Sequence, residues 1–380
     1  MTVVDPLIQE EIDRGQLPTQ ERVSRITAAQ QLRLGSEGAA EAERALGSSV
    51  LGLGPLHPLT ADERVTDILV NGARGVWVDR GRGLEAAAVH LSDDAALRRL
   101  AVRLAALAGQ RLDDAAPYVD GLLPGGIRLH AVLPPLVDGA AHISLRIPRR
   151  VPPSLEALRR WDMFDQGVET LLLQIVASKL AFVVGGGTGS GKTTLLSAML
   201  SHVPPGERMV IVEDVRELVI THPHVIHLQG RAANVEGRGE IALTTLIRQS
   251  LRMRPDRVVL GEARGAEVRD LLTAMNTGHE GGCGTIHANS AHDVISRFEA
   301  LGALAGLGAA AVHTQLASAV QVVLHLDRSG STRKVAEIAV LEVPVDRVEA
   351  STALRRVGER YEVGPGWDRL CQWVSARSAP

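Results

Sequence analysis

"LAFVVGGGTGSGKTTLLSAML", residues 180–200, reads as an apolar strand, a glycine-rich loop and an apolar-periodic helix in immediate succession. The loop fits the pattern G-x-x-x-x-G-K-[ST] through Gly186, Gly187, Thr188, Gly189, Ser190, Gly191, Lys192 and Thr193, with Thr194 following on the helix. Each residue type has a physical reason. Glycines let backbone N–H groups close around phosphate oxygens, and the helix N-terminus adds its dipole. A lysine at position 192 can reach the outer phosphates of a nucleotide, and the Thr193 hydroxyl can ligate Mg²⁺. A merely flexible glycine loop would leave the lysine unexplained. The segment therefore predicts a nucleotide site in a parallel α/β fold.

Two acidic strand ends follow. "RMVIVEDVREL" (208–218) runs four apolar residues into Glu213 and Asp214, and "DRVVLGEARG" (256–265) runs three through Gly261 into Glu262. Ligands of parallel sheets sit beyond the strand C-termini, so both Glu213 and Glu262 are expected to point towards the phosphate loop. One carboxylate can hold Mg²⁺ through water while the other orients an attacking water. Spacing leaves open which glutamate is the general base, and for Asp214 a mere helix cap is the lesser alternative.

"NTGHEGGCGTIHANS" (276–290) sets His279, Cys283 and His287 four residues apart, which on a helix would aim three metal ligands at one point. Gly278, Gly281, Gly282 and Gly284 disfavour a helix there, so no zinc site is expected. Two cysteines distant in sequence form neither a disulfide framework nor a four-cysteine zinc module.

Outward from this core, residues 1–52 read as a helical segment interrupted at Gly35 and at 47–49, and "GLGPLHPL" (52–59) as a hinge. A smaller α+β domain over 53–147 is expected next. "VTDILVN" and "GVWVDR" form short strands joined by "NGARG". "SDDAALRRLAVRLAALAGQ" forms a helix, with Ser92 as cap, Asp93 and Asp94 on its dipole, and Leu97, Leu100, Ala101, Leu104 and Leu107 inside. In "IRLHAVL" (127–133) and "HISLRI" (142–147), period-two alternation puts Arg128 and Arg146 opposite the apolar faces. "PRRVPPS" lies in a linker over 148–155, because proline blocks helix and ladder alike. The nucleotide-binding domain is expected over 156–380, with a helical subdomain from about 290. Ala300 to Leu326 carries no Asp, Glu, Lys or Arg, yet Thr314, Ser318, Gln321 and His325 recur as a polar stripe. A packed amphipathic helix is expected there rather than a membrane span.

The chain of 380 residues has a net charge of −3 and 2% aromatics, so it shows neither the basic footprint nor the stacking platforms of a nucleic-acid binder. "MTVVDPLIQEEIDRG" lacks the basic start and apolar stretch of a signal peptide, and a reducing, cytoplasmic location is expected.

At this point a resemblance is specific. The stretch 234–297 resembles the type II/IV secretion ATPases, closest to their tight-adherence (Tad) pilus branch, the CpaF/TadA-like proteins. Four signatures match: the phosphate loop at 186–193, the acidic box at 213–217, "RMRPDRVVLGE", and "TGHEGG…TIHAN". Upstream it extends through "GLGPLHPLTADERVTDILVNG" and "PYVDGLLPGGIRLHAVLPPL", covering roughly residues 50–345. The resemblance implies a RecA-like core that hydrolyses ATP with Mg²⁺. It also implies a homo-hexameric ring at the inner face of the membrane, beneath platform proteins, driving pilin assembly or export. By the same token His287 belongs to the nucleotide site and senses the γ-phosphate, His279 is structural or a relay, and Cys283 has no assigned role. Arg128 and Arg146 match arginines that reach the phosphates of a nucleotide clamped between domains, with Arg111 a weaker candidate. Where the family has an arginine before "LPDG", this chain has Leu122 before "LPGG". The four-cysteine zinc insertion of the type IV pilus extension and type II export ATPases is missing, which favours the Tad and conjugation-like branch. Two other readings compete: a RecA-type nucleic-acid translocase or conjugation motor, and a non-hydrolysing scaffold, the latter opposed by Glu213 and Glu262.

Overall fold

The apolar run before the glycine loop is an inner strand of a nine-stranded sheet in the computed structural model, which describes residues 52–377 except 63, 82, 90, 92, 149–151, 232–237, 279 and 331. The expected helical segment over 1–52, apart from its last residue, lies outside the described residues, as do Ser92 and His279. The chain divides into two units, Met1–Arg149 and Arg150–Pro380, each built on its own core.

The first unit is a six-stranded antiparallel sheet. Its strands are β1 (Asp67–Asn71), β2 (Val76–Asp79), β3 (Leu84–Ala87), β4 (Tyr118–Leu123), β5 (Ile127–Val132) and β6 (His142–Arg146), in spatial order β3-β2-β1-β6-β5-β4. Alternation decides the faces: Ile68, Val70, Leu129, Ala131, Ile143 and Leu145 are all buried. Helix α1 (Asp94–Leu107) lays Leu97, Leu100, Ala101 and Leu104 into the same core. Its cap is Asp93, whose carboxylate accepts the Ala96 amide, one residue beyond the expected Ser92.

The second unit begins with α2 (Leu155–Arg160), capped by Ser154, and α3 (Gln166–Ala177). Strand β7 (Phe182–Gly186) leads through the glycine loop into α4 (Lys192–Leu200). Then come β8 (Met209–Glu213), β9 (Val225–Gln229), α5 (Leu243–Ser250), β10 (Arg257–Ala263), α6 (Glu267–Asn276) and β11 (Cys283–Ile286). The chain continues through α7 (Asp293–Leu304), α8 (Ala309–Ala319), β12 (Val322–Ser329), β13 (Thr332–Glu342), β14 (Glu349–Val357), β15 (Arg360–Val363) and α9 (Trp367–Arg377). Spatial order is β15-β14-β13-β12-β7-β11-β10-β8-β9, parallel from β12 to β9 and antiparallel beyond β12. Phe182 and Val184 join one core cluster, with Leu195 of α4 and Val168 of α3. Ala181 and Val183 join the other, with Leu271 of α6, Val294 of α7 and Leu316 of α8. A strand covered on both faces has no polar alternation, hence the unbroken apolar run.

This is the mixed α/β fold expected, a sheet-rich first unit and a parallel-sheet core, with one correction. The stretch from about 290 is not a helical subdomain. After α7 and α8 it contributes four strands that widen the main sheet, closed by α9. The charge-free run from Ala300 to Leu326 is likewise not one helix. It holds the end of α7, all of α8 and the start of β12, so Thr314 and Ser318 are helical while His325 lies on a strand. The physical reason is burial: Val322, Val323 and Leu324 lie in an inner strand, parallel to β7 and antiparallel to β13, where charge is excluded as firmly as in a buried helix. Among the described residues no helix is long and apolar enough to cross a membrane.

Candidate functional site

Parallel strands put their C-terminal ends on one edge, so the loop after β7, the ends of β8 and β10, and the turn after β11 all open there. The glycine loop is folded tightly. Gly186 has φ +153°, and a Cβ there would stand 2.6 Å from both Leu326 O and Ser190 Oγ, so no side chain fits. Ser190 Oγ donates to Gly187 O at 2.9 Å, and the buried Lys192 Nζ donates to Gly186 O at 3.0 Å and Gly187 O at 2.9 Å. Burial lowers the lysine pKa, with Glu262 acting in the opposite direction. Gly187, Thr188 and Gly189 form the exposed crest, while Thr193 and Thr194 lie half-buried in the first turn of α4. A cation held beneath an exposed run of backbone amides at a helix N-terminus suits a polyphosphate. The Thr193 hydroxyl in that turn is the residue that would hold Mg²⁺.

Glu262 sits where the β10–β11 register shifts, between Leu260 and Ala263, and the irregularity re-aims its side chain. Its Oε1 is 2.6 Å from His287 Nε2, and its Oε2 accepts from Arg264 Nε at 2.6 Å. The His287 pKa is lowered, chiefly by burial and then by the nearby Lys192 charge, against the opposing pull of Glu262. The imidazole is therefore neutral at pH 7, and its carboxylate partner places the proton on Nε2. Glu262, His287, Arg264 and Lys192 thus form one electrostatic group beside the loop.

Glu213 is placed differently. Strand β8 lies three positions from β7, roughly 14 Å at ordinary strand spacing. The buried Glu213 Oε1 accepts the amides of Glu217 and Leu218, each at 2.9 Å, and Oε2 lies 3.4 Å from His227 Nδ1. Gly261 makes room for it, since a Cβ there would be 2.6 Å from Glu213 Cγ. Against the expectation that both acids point at the phosphate loop, the Glu213 carboxylate turns to the amides after its own strand, while Glu262 is coupled electrostatically to Lys192. Glu213 braces the turn after its own strand, where two backbone donors outcompete a distant cation.

In the first unit, Arg128 and Arg146 face each other directly across β5 and β6, on the side away from the core. Arg146 also stands opposite Asp67, with Nε 3.7 Å from Oδ1. Leu122, at the family's arginine position, lies across β4 and β5 from Arg128. Arg111 is exposed and ion-paired with Asp113. Cys283 is buried in β11, where burial pushes its thiol up to about 12, and the strand that follows it precludes helical convergence with His287.

Three arginines near the loop carry no motif of their own in the sequence. Arg264 could have been found, two residues beyond Glu262 at a strand end. Arg328 and Arg333 could not: Arg333 Nε donates to Gly189 O at 2.8 Å from 144 residues away, a contact no local pattern announces.

The chain is similar to known secretion-system proteins. The profile of the family described as "Type II/IV secretion system protein" matches residues 50–357. A Mycobacterium tuberculosis protein named for conjugal transfer is 53% identical over 317 residues, covering 81% of this chain and 90% of that protein. The "Type IV secretion system protein PtlH" of Bordetella pertussis is 34% identical over 278 residues, covering 64% of this chain and 78% of its own length. The X-ray structure of the Legionella pneumophila ATPase DotB aligns with a TM-score of 0.53 at 17% identity, over 83% of this chain and 84% of that one, a likeness of fold.

Proposed function

The chain belongs to the type II/IV secretion system ATPase family, and from that premise we propose that it is the Mg²⁺-dependent, ATP-hydrolysing motor of a Tad/Flp-type pilus or allied secretion apparatus. The observation that carries this reading is the pairing, on one sheet edge, of a phosphate loop closed on Lys192 with the Glu262–His287 couple.

The chemistry follows from the residues. Lys192 holds two loop carbonyls, and an entering polyphosphate offers it stronger, charged acceptors. Backbone amides from Gly187 to Thr194 complete the cradle. Thr193 is the residue that would hold Mg²⁺, and the ion would supply charge neutralisation at the phosphates. Glu262 is the general base: it accepts a proton from the attacking water, while neutral His287 and Arg264 fix the orientation of its carboxylate. By the family resemblance, and not by any contact in the structure, Arg128 and Arg146 are assigned to the phosphates, where guanidinium charge would offset developing negativity. The wider assembly, a homo-hexamer on the cytoplasmic face of the inner membrane working on platform proteins, rests on the family resemblance.

Purified full-length chain tests the proposal through ATP binding and phosphate release in wild type, Lys192→Ala and Glu262→Gln, with and without DNA. Binding lost in the first variant and retained in the second, with turnover indifferent to DNA, supports the motor. Strong stimulation by DNA would favour the nucleic-acid translocase instead.

A further inference from the structure

Strand β12 is the parallel neighbour of β7 on the side away from β11, with Leu326 in register with Gly186. Beyond that point β12 and β13 continue as a hairpin turning at Gly330, and their register sets Arg328 directly opposite Arg333. Like charges facing each other across a ladder are unfavourable. Yet both are aimed at the same place. Arg333 Nε donates to Gly189 O at 2.8 Å, and Arg328 Nη1 stands 2.7 Å from where a Cβ on Gly189 would lie. Arg328 Nε donates to Gly330 O at 3.1 Å, leaving the guanidinium at the hairpin tip, exposed, beside the loop crest.

The base of the hairpin is firmly held. Lys334 Nζ lies 3.0 Å from Asp162 Oδ2, Val335 N donates to Met163 O at 2.9 Å, and Tyr361 OH donates to Val335 O at 2.6 Å. Met163 in turn packs beneath the loop, its Cε 3.2 Å from the place of a Cβ on Gly191. The segment that supports the phosphate loop from below therefore also fixes where Arg333 emerges.

We propose that Arg328 and Arg333 are polyphosphate-binding residues, a cationic wall that the chain's own C-terminal hairpin builds along the phosphate loop for nucleoside di- and triphosphates. The proposal rests on the nucleotide-site reading of that loop. Like-charge opposition on the hairpin makes sense once an anion lies beside both guanidiniums at the exposed loop crest. Because the hairpin flanks β7 on the side opposite the Glu262–His287 couple, its arginines act on binding more than on bond cleavage. Affinity for ADP should thus depend on them as much as affinity for ATP.

The test is titration of full-length chain with MgADP and MgATP, using wild type, Lys192→Ala, Arg328→Gln, Arg328→Lys, Arg333→Gln and the double Gln variant. Each Gln variant should weaken both ligands about tenfold, the measure of one lost charge-assisted contact, and the double variant more. Arg328→Lys should recover most of the loss, and KM should rise by more than kcat falls. Wild-type affinity in both single Gln variants and in the double overturns the proposal. So does a loss that Arg328→Lys fails to recover, which would make the hairpin a brace for the loop. Should Arg333→Gln fold poorly, the exposed Arg328 carries the test alone. Failure of wild type to bind, or binding unchanged by Lys192→Ala, would instead bring down the nucleotide-site reading itself.

Discussion

Glu213→Gln and Glu262→Gln each exchange one oxygen for one nitrogen, yet they should fail in different assays. The Glu213 carboxylate is buried and accepts two backbone amides at 2.9 Å each. A bond to a charged acceptor contributes about 1.5–3 kcal/mol and one to a neutral acceptor about 0.5–1.5, so the amide should cost about 2 kcal/mol for the pair. In a unit of this size that lowers Tm by about 4–8 °C. Glu213→Gln should slow single turnover by less than about tenfold, because the carboxylate is turned to the 214–218 turn and not to the loop. For Glu262→Gln the order reverses. Its partners Arg264 and His287 are 56% and 40% exposed, so the ion pairs contribute only about 0–1 kcal/mol to stability. Loss of a general base should slow the chemical step about 10²–10⁴-fold. Rapid-quench single turnover and thermal melts on the two proteins decide the matter. If Glu213→Gln stops turnover at an unchanged Tm while Glu262→Gln hydrolyses normally, the assignment of roles is wrong.

His287 is held below its ordinary pKa of 6.5, so it stays neutral until the pH falls beneath that value. Hydrolysis should decline only below about pH 6.5 as the imidazole charges and locks Glu262, and His287→Gln should remove that acid limb; an unchanged limb would contradict it. The same depression means that the unfolded chain takes up this proton first, so the stability contribution is full above 6.5 and is lost as pH falls. Arg146→Ala and Arg128→Ala should each slow hydrolysis about 10²-fold, with ATP affinity within about tenfold and a double mutant well short of the product. Full activity in both single variants and in the double would return that face to ordinary solvated sheet. Arg257, fully buried, donates to Glu207 Oε2 at 2.7 Å and Val176 O at 2.8 Å, so Arg257→Ala should cost about 3–5 kcal/mol in urea unfolding. A loss below about 1 kcal/mol would show that the pair is dispensable.

What could be read from sequence was what is local. The phosphate loop is strand, turn and helix in one stretch, with glycine, lysine and threonine each demanded by the chemistry, and Glu262 follows a short apolar strand directly. The destination of Glu213 was hidden because amides four and five residues ahead, rather than its strand position, decide where its carboxylate turns. The run from Ala300 to Leu326 misled because a central strand covered on both faces lacks polar alternation, as a buried helix does. Arg328 and Arg333 reach Gly189 only through pairing of β12 with β7 and of β13 with β12, a tertiary register no short motif encodes. The face shared by Arg128 and Arg146 was legible from period-two alternation, while their being cross-strand partners required the register.

In the proposed motor, the loop at 186–193 and Glu262 form one ATP-hydrolysing site. Its most direct test is phosphate release from MgATP by the purified full-length chain, beside Glu262→Gln, with and without duplex and single-stranded DNA. Wild-type turnover should lie far above that of Glu262→Gln and be unaltered by either DNA. Turnover no greater than that of Glu262→Gln, or turnover that appears only with DNA, would contradict it.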